Sequence, residues 1–132
     1  MVQAAIRMLA IEADLIASDG CEVRVLAQTP RGSMAHFTLG PGQVARAVAH
    51  RTVEEVWYFL AGQGRIWRSQ GDEETIVPVA PGLSLAIPLG TRFQLRNDGA
   101  VPLAAVAVTM PPWPGENEAY SVEGKWPATV GG

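Results

Sequence analysis

Glycine and proline divide this chain into short segments, and their spacing restricts the fold more than any other feature of the sequence. Fourteen glycines and ten prolines occur among 132 residues, and they fall between short apolar or alternating runs. Proline presets φ for a turn, and glycine tolerates positive φ. Many short strands separated by such turns are typical of a β-barrel or a β-sandwich. The sequence therefore predicts an all-β fold with little helix.

The apolar and alternating runs also indicate where the strands lie. We expect nine strands, at residues 22–27, 34–39, 44–50, 55–61, 65–68, 75–79, 84–87, 91–96 and 103–109. The first seventeen residues are ambiguous. Ile6, Leu9 and Ala13 suit a helical stripe, whereas Ser18-Asp19-Gly20 is a hairpin-turn signal. We leave this N-terminal segment unassigned or as an edge element.

The C-terminal segment has a composition of its own. Pro111, Pro112 and Pro114 lack the amide donor that a central strand needs. We expect residues 111–132 to form an extended flap that places an aromatic side chain over a barrel core at about 22–110. At this length the chain is predicted to be a single domain, residues 1–132.

Composition and charge narrow the classes of function. The formal net charge is −3, and the basic residues are spread singly along the chain, so no nucleic-acid partner is expected. The N-terminal residues do not resemble a signal peptide, and no apolar run is long enough to span a bilayer. Cys21 is the single cysteine, which leaves no intrachain disulfide. We expect a cytoplasmic protein without a membrane partner.

Two spaced motifs give the chain a resemblance to a known superfamily. The first, G-x5-H-x-H-x3,4-E-x6-G, is matched in spacing by Gly42, Val48, His50, Glu55 and Gly62. The second, G-x5-P-x-G-x2-H-x3-N, is matched by Gly82, Pro88, Gly90, Phe93 and Asn97. On these motifs residues 23–109 resemble the cupin superfamily, which implies a double-stranded β-helix (jelly-roll) barrel.

The resemblance also implies where a metal would bind, and this chain departs from that pattern. Similar cupins hold a divalent metal through three histidines and one glutamate, but Val48 and Phe93 occupy two of these four positions and have no lone pair to donate. His50 and Glu55 supply two ligands, whereas stable sites need three or four. We therefore expect no tightly bound cofactor. If a divalent metal is bound, it uses His50 and Glu55 with a further donor: His36, Gln94 or Thr109.

Strand alternation predicts which side chains meet inside the barrel. Val48 with His50, Glu55 with Trp57, and Phe93 with Leu95 each share one face of a strand, and these faces converge in a closed barrel. His50 and Glu55 are the candidate catalytic pair, since burial and mutual attraction can leave one group able to move protons near neutral pH. The alternative is a buried, hydrogen-bonded pair without chemistry.

The remaining candidates concern ligand binding. An apolar wall of Phe37, Val48, Trp57, Phe93 and Leu95 implies an apolar or aromatic small-molecule ligand, or else these side chains simply fill the barrel. Arg46 has the strand parity of Val48 and His50, so it is a candidate for anchoring an anionic ligand. A solvated surface arginine is the alternative for that residue.

Three functions follow from these residues. The first is a small-molecule-binding cupin, acting as a metal-independent acid/base enzyme of the isomerase or lyase type through His50 and Glu55. The second is a metal-dependent, oxygenase-like cupin with a rebuilt site, and the third is a non-catalytic ligand sensor. We also expect a homodimer, because Val56, Tyr58 and Leu60 alternate outward and supply an apolar surface. Fold alone does not select among the three functions.

Overall fold

The computed structural model describes residues 4–130 of the chain. Residues 1–3 and 131–132, the outer ends of the N-terminal segment and of the predicted flap, lie outside the described residues. Within this range the chain consists of strands and turns without helix, which confirms the all-β prediction. In the same range no helix is long and apolar enough to cross a membrane.

Eleven strands form two antiparallel sheets. The strands are β1 (Leu15–Ile16), β2 (Glu22–Thr29), β3 (Gly32–Leu39), β4 (Val48–His50), β5 (Glu54–Ala61), β6 (Gly64–Gln70), β7 (Glu73–Val79), β8 (Ser84–Ile87), β9 (Arg92–Asn97), β10 (Leu103–Met110) and β11 (Ala119–Ser121). Sheet A has the order β1-β2-β3-β10-β5-β8, and sheet B has the order β11-β4-β9-β6-β7. All nine predicted strands are present, with shifted ends.

The hydrophobic core lies between the two sheets. β5 shows the principle, since its side chains alternate between buried and exposed, as expected for a strand with one face on the core. Glu55, Trp57 and Phe59 face inward, while Tyr58 and Leu60 face outward. Phe59, Ile66, Leu95 and Leu103, from both sheets, belong to the same core cluster. The sheets therefore close around one interior.

Two residues of the spaced motifs have structural roles that explain their type. Gly62 has φ of +86°, and a Cβ atom there would lie 2.7 Å from the Cα of Leu103. The amide of Asn97 donates to the carbonyls of Leu39 (3.0 Å) and Val101 (2.8 Å), and its Oδ1 accepts from the N–H of Gly99 (2.8 Å). These residues hold turns at one end of the barrel.

The strand predicted at 44–50 is interrupted. Ala45 donates its N–H to the carbonyl of Leu95 (2.9 Å), whereas Val48 is paired with Phe93. From Ala45 to Val48 the first segment advances three residues, while β9 advances only two, from Leu95 to Phe93. One extra residue in one of two paired segments is a β-bulge. Regular pairing begins again at Val48, and the inward positions shift by one residue.

The two terminal segments pack differently. The N-terminal segment is extended, and β1 pairs with β2 through a turn at Ser18-Asp19-Gly20 in which the N–H of Gly20 donates to the carbonyl of Ala17 (2.9 Å). The C-terminal segment, expected as a flap, contains β11, which pairs with β4. The C-terminal segment thus adds an edge strand to sheet B.

Candidate functional site

His50 and Glu55, the predicted catalytic pair, lie side by side. His50 ends β4, just after the bulge, and Glu55 lies near the start of β5. Nδ1 of His50 is 3.6 Å from Oε2 of Glu55, and the two residues are 6% and 7% exposed. The indole N–H of Trp57 donates to the other oxygen, Oε1, of Glu55 (2.5 Å). Nδ1 of His50 has no hydrogen-bond partner among the described residues. The pair therefore has one nitrogen available to a further group.

Burial shifts both groups toward their neutral forms. Desolvation lowers the pKa of His50 to about 4, although the charge of Glu118 acts in the opposite direction. Desolvation likewise raises the pKa of Glu55 to about 7, against the lowering effect of the Trp57 hydrogen bond. At neutral pH the imidazole is therefore an unprotonated base, and the carboxyl group is close to half protonated.

Glu118 is a third member of this site that the sequence analysis missed. Its carboxylate accepts hydrogen bonds from the N–H groups of Thr52 (2.6 Å) and Val53 (2.9 Å) and from the Thr52 hydroxyl (2.5 Å). Burial alone would raise the pKa of Glu118, but these hydrogen bonds and the attraction of His50 lower it. Its negative charge raises the pKa of His50 and of Glu55. No sequence pattern connects this tail residue with the barrel interior.

Asp19 is a second carboxylate that acts on the site. Its Oδ1 accepts from the N–H of Cys21 (3.0 Å), and burial raises the pKa of Asp19. Its charge also raises the pKa of Glu55. The pKa of the buried Cys21 thiol is raised well above its ordinary value, first by burial and then by Asp19, so this thiol is unreactive. The turn signal located Asp19 but did not indicate its inward position.

Aromatic rings surround the pair. Trp57 packs edge-on against Phe37 and Phe93, with centroid distances of 4.8 and 5.3 Å. Phe93 and Trp113 pack edge-on against the imidazole of His50, at 5.3 and 5.1 Å. Trp113 is 40% exposed, and its backbone N–H donates to Oγ of Ser33 (2.9 Å). The segment after β10 thus places the indole of Trp113 against the imidazole of His50.

The five apolar residues predicted to bind ligand lie together. Phe37, Val48, Trp57, Phe93 and Leu95 are all buried and belong to one core cluster. The interior beside the pair is therefore filled with hydrocarbon and aromatic side chains.

Two surface grooves lie elsewhere. One, of about 290 Å³, is lined by residues that include Arg46, Gln94 and Trp126. The other, of about 330 Å³, lies at the turns that contain Gly62 and Pro81. Neither groove has His50 or Glu55 among its lining residues.

The parity prediction for Arg46 was wrong. Ala45 and Val48 both belong to the buried core, so the bulge places inward positions three residues apart. Arg46 instead lines the groove between sheet B and the tail, together with Gln94. It is therefore separated from the His50 and Glu55 pair, and a simple count of alternating residues cannot detect such a shift.

The residues at the four motif positions do not fit a metal site with three histidines and one glutamate. Val48 and Phe93 are buried hydrocarbons at two of them, and Phe93 fills the space beside His50 with its ring edge. Among residues 4–130, no three His, Cys, Asp or Glu side chains are grouped to hold a metal ion.

The further donors named from the sequence have other positions. His36 precedes the inward-facing Phe37 and pairs with Arg24, on the outer face of sheet A. The Gln94 amide is bonded to Ala45 and to the tail. Thr109 lies next to Glu55 in the strand register and is hydrogen bonded to the Ser33 hydroxyl. Only Thr109 therefore lies beside the pair.

The two sheets and the interior pair define the class of this protein, a double-stranded β-helix with a buried imidazole and carboxyl group. A family model for the cupin domain matches residues 35–109, more than half of the chain. The chain belongs to the cupin superfamily.

Curated relatives match this chain over a small part of their own length. The chain is 26% identical over 102 residues to a mannose-1-phosphate guanylyltransferase from Klebsiella pneumoniae, an alignment that covers 77% of this chain and 21% of that protein. The chain thus spans about a fifth of the length of the curated relatives it matches.

Solved structures with the same fold include enzymes and a ligand complex. Oxalate decarboxylase from Bacillus subtilis is 18% identical, with a TM-score of 0.69 and coverage of 81% of this chain and 29% of that chain. The Streptomyces protein PAC13 with uridine is 15% identical, with a TM-score of 0.68 and coverage of 90% and 92%. At this level of identity the likeness establishes the fold alone.

Proposed function

We propose that this protein is a small-molecule-binding cupin in which His50 and Glu55 exchange protons with a bound ligand, without the three-histidine, one-glutamate metal site. The observation that carries the proposal is the unpartnered Nδ1 of His50, held 3.6 Å from the Glu55 carboxyl group in a buried position. A buried polar atom without a partner is costly. A ligand group that bonds to it would remove that cost.

The protonation states suit acid/base chemistry. The neutral imidazole of His50 accepts a proton from the ligand, and the protonated fraction of Glu55 returns one to another atom. A base and an acid in the same site support isomerisation, elimination or decarboxylation, reactions in which a carbon-bound proton or carboxylate is exchanged. Trp57 holds Glu55 in place through its indole N–H.

The aromatic surroundings support a flat, largely apolar ligand. The ring of Trp113 packs edge-on against His50 and is partly exposed to solvent. A ligand therefore reaches His50 when this indole moves aside. A planar ring can then take the same place against Phe93 and the imidazole. Small aromatic acids are the probes that match this ligand class, and uridine, oxalate and mannose 1-phosphate, suggested by the names of the relatives, are polar comparison probes. We also propose that the protein is cytoplasmic.

Calorimetric titration with these probes tests the proposal. We expect one class of probe to bind the wild-type protein equally well with and without chelator. His50→Ala should weaken binding about 10-fold or more, in line with the loss of a buried hydrogen bond. Glu55→Gln should keep binding and lose turnover. Asp72→Asn, at an exposed turn, is the matched control and should behave as wild type.

Other results would support the competing functions. Stoichiometric iron, manganese, nickel or zinc in purified protein, lost in His50→Ala, would overturn the proposal in favour of the metal-dependent enzyme. If a probe binds but the wild-type protein turns over no bound probe, the result would favour the ligand sensor. Unchanged affinity in His50→Ala would exclude this residue from the site.

A further inference from the structure

The N-terminal arm, residues 4–11, carries apolar side chains that contact almost nothing in their own chain. Ile6, Met8 and Ile11 are between 87% and 95% exposed. The arm is nevertheless held in place, because the Arg24 guanidinium donates to the carbonyls of Ala10 and Ile11, both at 2.8 Å. An anchored backbone with exposed large apolar side chains indicates a surface that is covered by another molecule.

The outer face of sheet A is a second exposed apolar surface. Its residues Met34, Val56, Tyr58 and Leu60 are between 39% and 50% exposed. Val56, Val108 and Met34 lie side by side across β5, β10 and β3, so the apolar surface is continuous over three strands. We call this surface the sheet A face.

The arm and the sheet A face are continuous. Tyr58, Val106, His36 and Arg24 form one row across sheet A, and Arg24 is the residue that anchors the arm. The arm therefore leaves its own chain at the margin of the face. Arg7 is the one charged residue of the arm, and Glu54 is an exposed acidic residue on β5 beside the face, so the proposed contact offers this one pair of opposite charges.

We propose that the arm of one copy of this chain lies on the sheet A face of a second copy. A twofold axis makes the exchange reciprocal, so that each arm covers the partner's face and both apolar surfaces are buried. A stable dimer buries about 800 Å² on each partner, from roughly 20 to 30 residues. The eight residues of the arm and the outward-facing residues of three eight-residue strands together make an interface of about that number of residues.

Sedimentation velocity of the full chain at micromolar concentration gives the first test. We expect twice the chain mass for the wild type. The double variant Ile6→Asp/Ile11→Asp in the arm, and Tyr58→Asp on the face, should each raise the dimer dissociation constant about 10-fold or more. Leu89→Asp and Val101→Asp are matched controls, because both residues are 55% exposed and lie outside both surfaces. These controls should remain dimeric.

Disulfide trapping in mixed dimers gives the second test and does not depend on disruptive variants. Copies with Ile6→Cys are mixed with copies with Val56→Cys and oxidised. We expect a disulfide between the two kinds of chain and none when Leu89→Cys replaces Val56→Cys. A monomeric wild type would overturn the proposal, as would a dimer that Tyr58→Asp disrupts but the arm variant and the trapping experiment leave untouched.

Discussion

At the scale of single residues, His50 and Glu55 affect stability in opposite directions. Glu55 binds a proton more tightly in the folded chain, where its pKa is about 7, than at its ordinary value of 4.5. Its contribution is therefore fully present below about pH 4.5 and is lost as the pH rises to about 7. His50 binds a proton less tightly, with a pKa of about 4 against 6.5. Its contribution is present above about pH 6.5 and is lost as the pH falls to about 4.

Because the two contributions have opposite signs, each side chain should mask the effect of the other on the pH dependence of the unfolding free energy. Between pH 4.5 and 6.5 the two slopes, each about 1.4 kcal/mol per pH unit, nearly cancel in the wild type. Relative to the wild type, His50→Gln should lose about 3 kcal/mol of unfolding free energy between pH 4.5 and 7. Glu55→Gln should gain about 3 kcal/mol between pH 4 and 6.5. Urea unfolding measured across this range checks both, and parallel curves for all three proteins would contradict the prediction.

At the scale of elements, a single tail carboxylate joins the segment around β11 to the turn before β5. Glu118 is 4% exposed and receives three hydrogen bonds from Thr52 and Val53. Val53 is fully buried, so its N–H has no access to water if the carboxylate is removed. The same carboxylate, still charged at neutral pH because its pKa is lowered, adds to the rise in the pKa of Glu55, of which burial is the main cause. The Glu118 side chain therefore contributes both to the attachment of the tail and to the pKa of Glu55.

Replacing this side chain should change both properties. Glu118→Ala leaves buried donors without partners, so we expect a loss of about 2 to 4 kcal/mol of unfolding free energy, measured by urea titration. Glu118→Gln keeps part of the hydrogen bonding and removes the charge, so it should lose less stability and lower the pKa of Glu55. NMR titration of the carboxyl carbon measures that pKa. The exposed Glu116→Ala is the control, and an equal effect of both alanine variants would refute this role of Glu118.

At the scale of the whole molecule, the tail is a structural layer over sheet B. The Gln94 amide donates to the carbonyls of Ala45 (2.9 Å) and Trp126 (2.7 Å), and its Oε1 accepts from the N–H groups of Lys125 and Trp126 (both 2.9 Å). Thr129 also pairs with the backbone of Val44, through its N–H at 2.9 Å. One buried side chain of β9 therefore binds the tail to the barrel.

Removing the tail should destabilise the entire barrel. A chain that ends at residue 116 leaves Oε1 of Gln94 and the donors of Thr52 and Val53 unpaired. We expect it to lose at least about 4 kcal/mol of unfolding free energy, with a matching fall in the thermal midpoint. A chain that ends at residue 130 keeps every tail contact described above and is the control. Equal unfolding midpoints for the two chains would show that the tail is dispensable.

The local pattern of the sequence was sufficient for nine of the eleven strands and for the inward positions on β5 and β9. Turn residues and alternation act over a few residues, so they can be read without knowledge of the rest of the chain. The motif spacing likewise identified the superfamily, and alternation brought His50 and Glu55 to one interior. Their roles in binding or chemistry stay a prediction.

The tertiary structure decided what local patterns do not encode. The bulge that moves Arg46 outside depends on how β4 meets β9, and the inward positions of Glu118 and Asp19 depend on where distant segments cross the barrel. The same holds for the titration of the pair, because a pKa is set by burial and by charges from several segments. Sequence thus determined the barrel and its pair of polar side chains, whereas packing between remote segments determined the electrostatic environment of that pair.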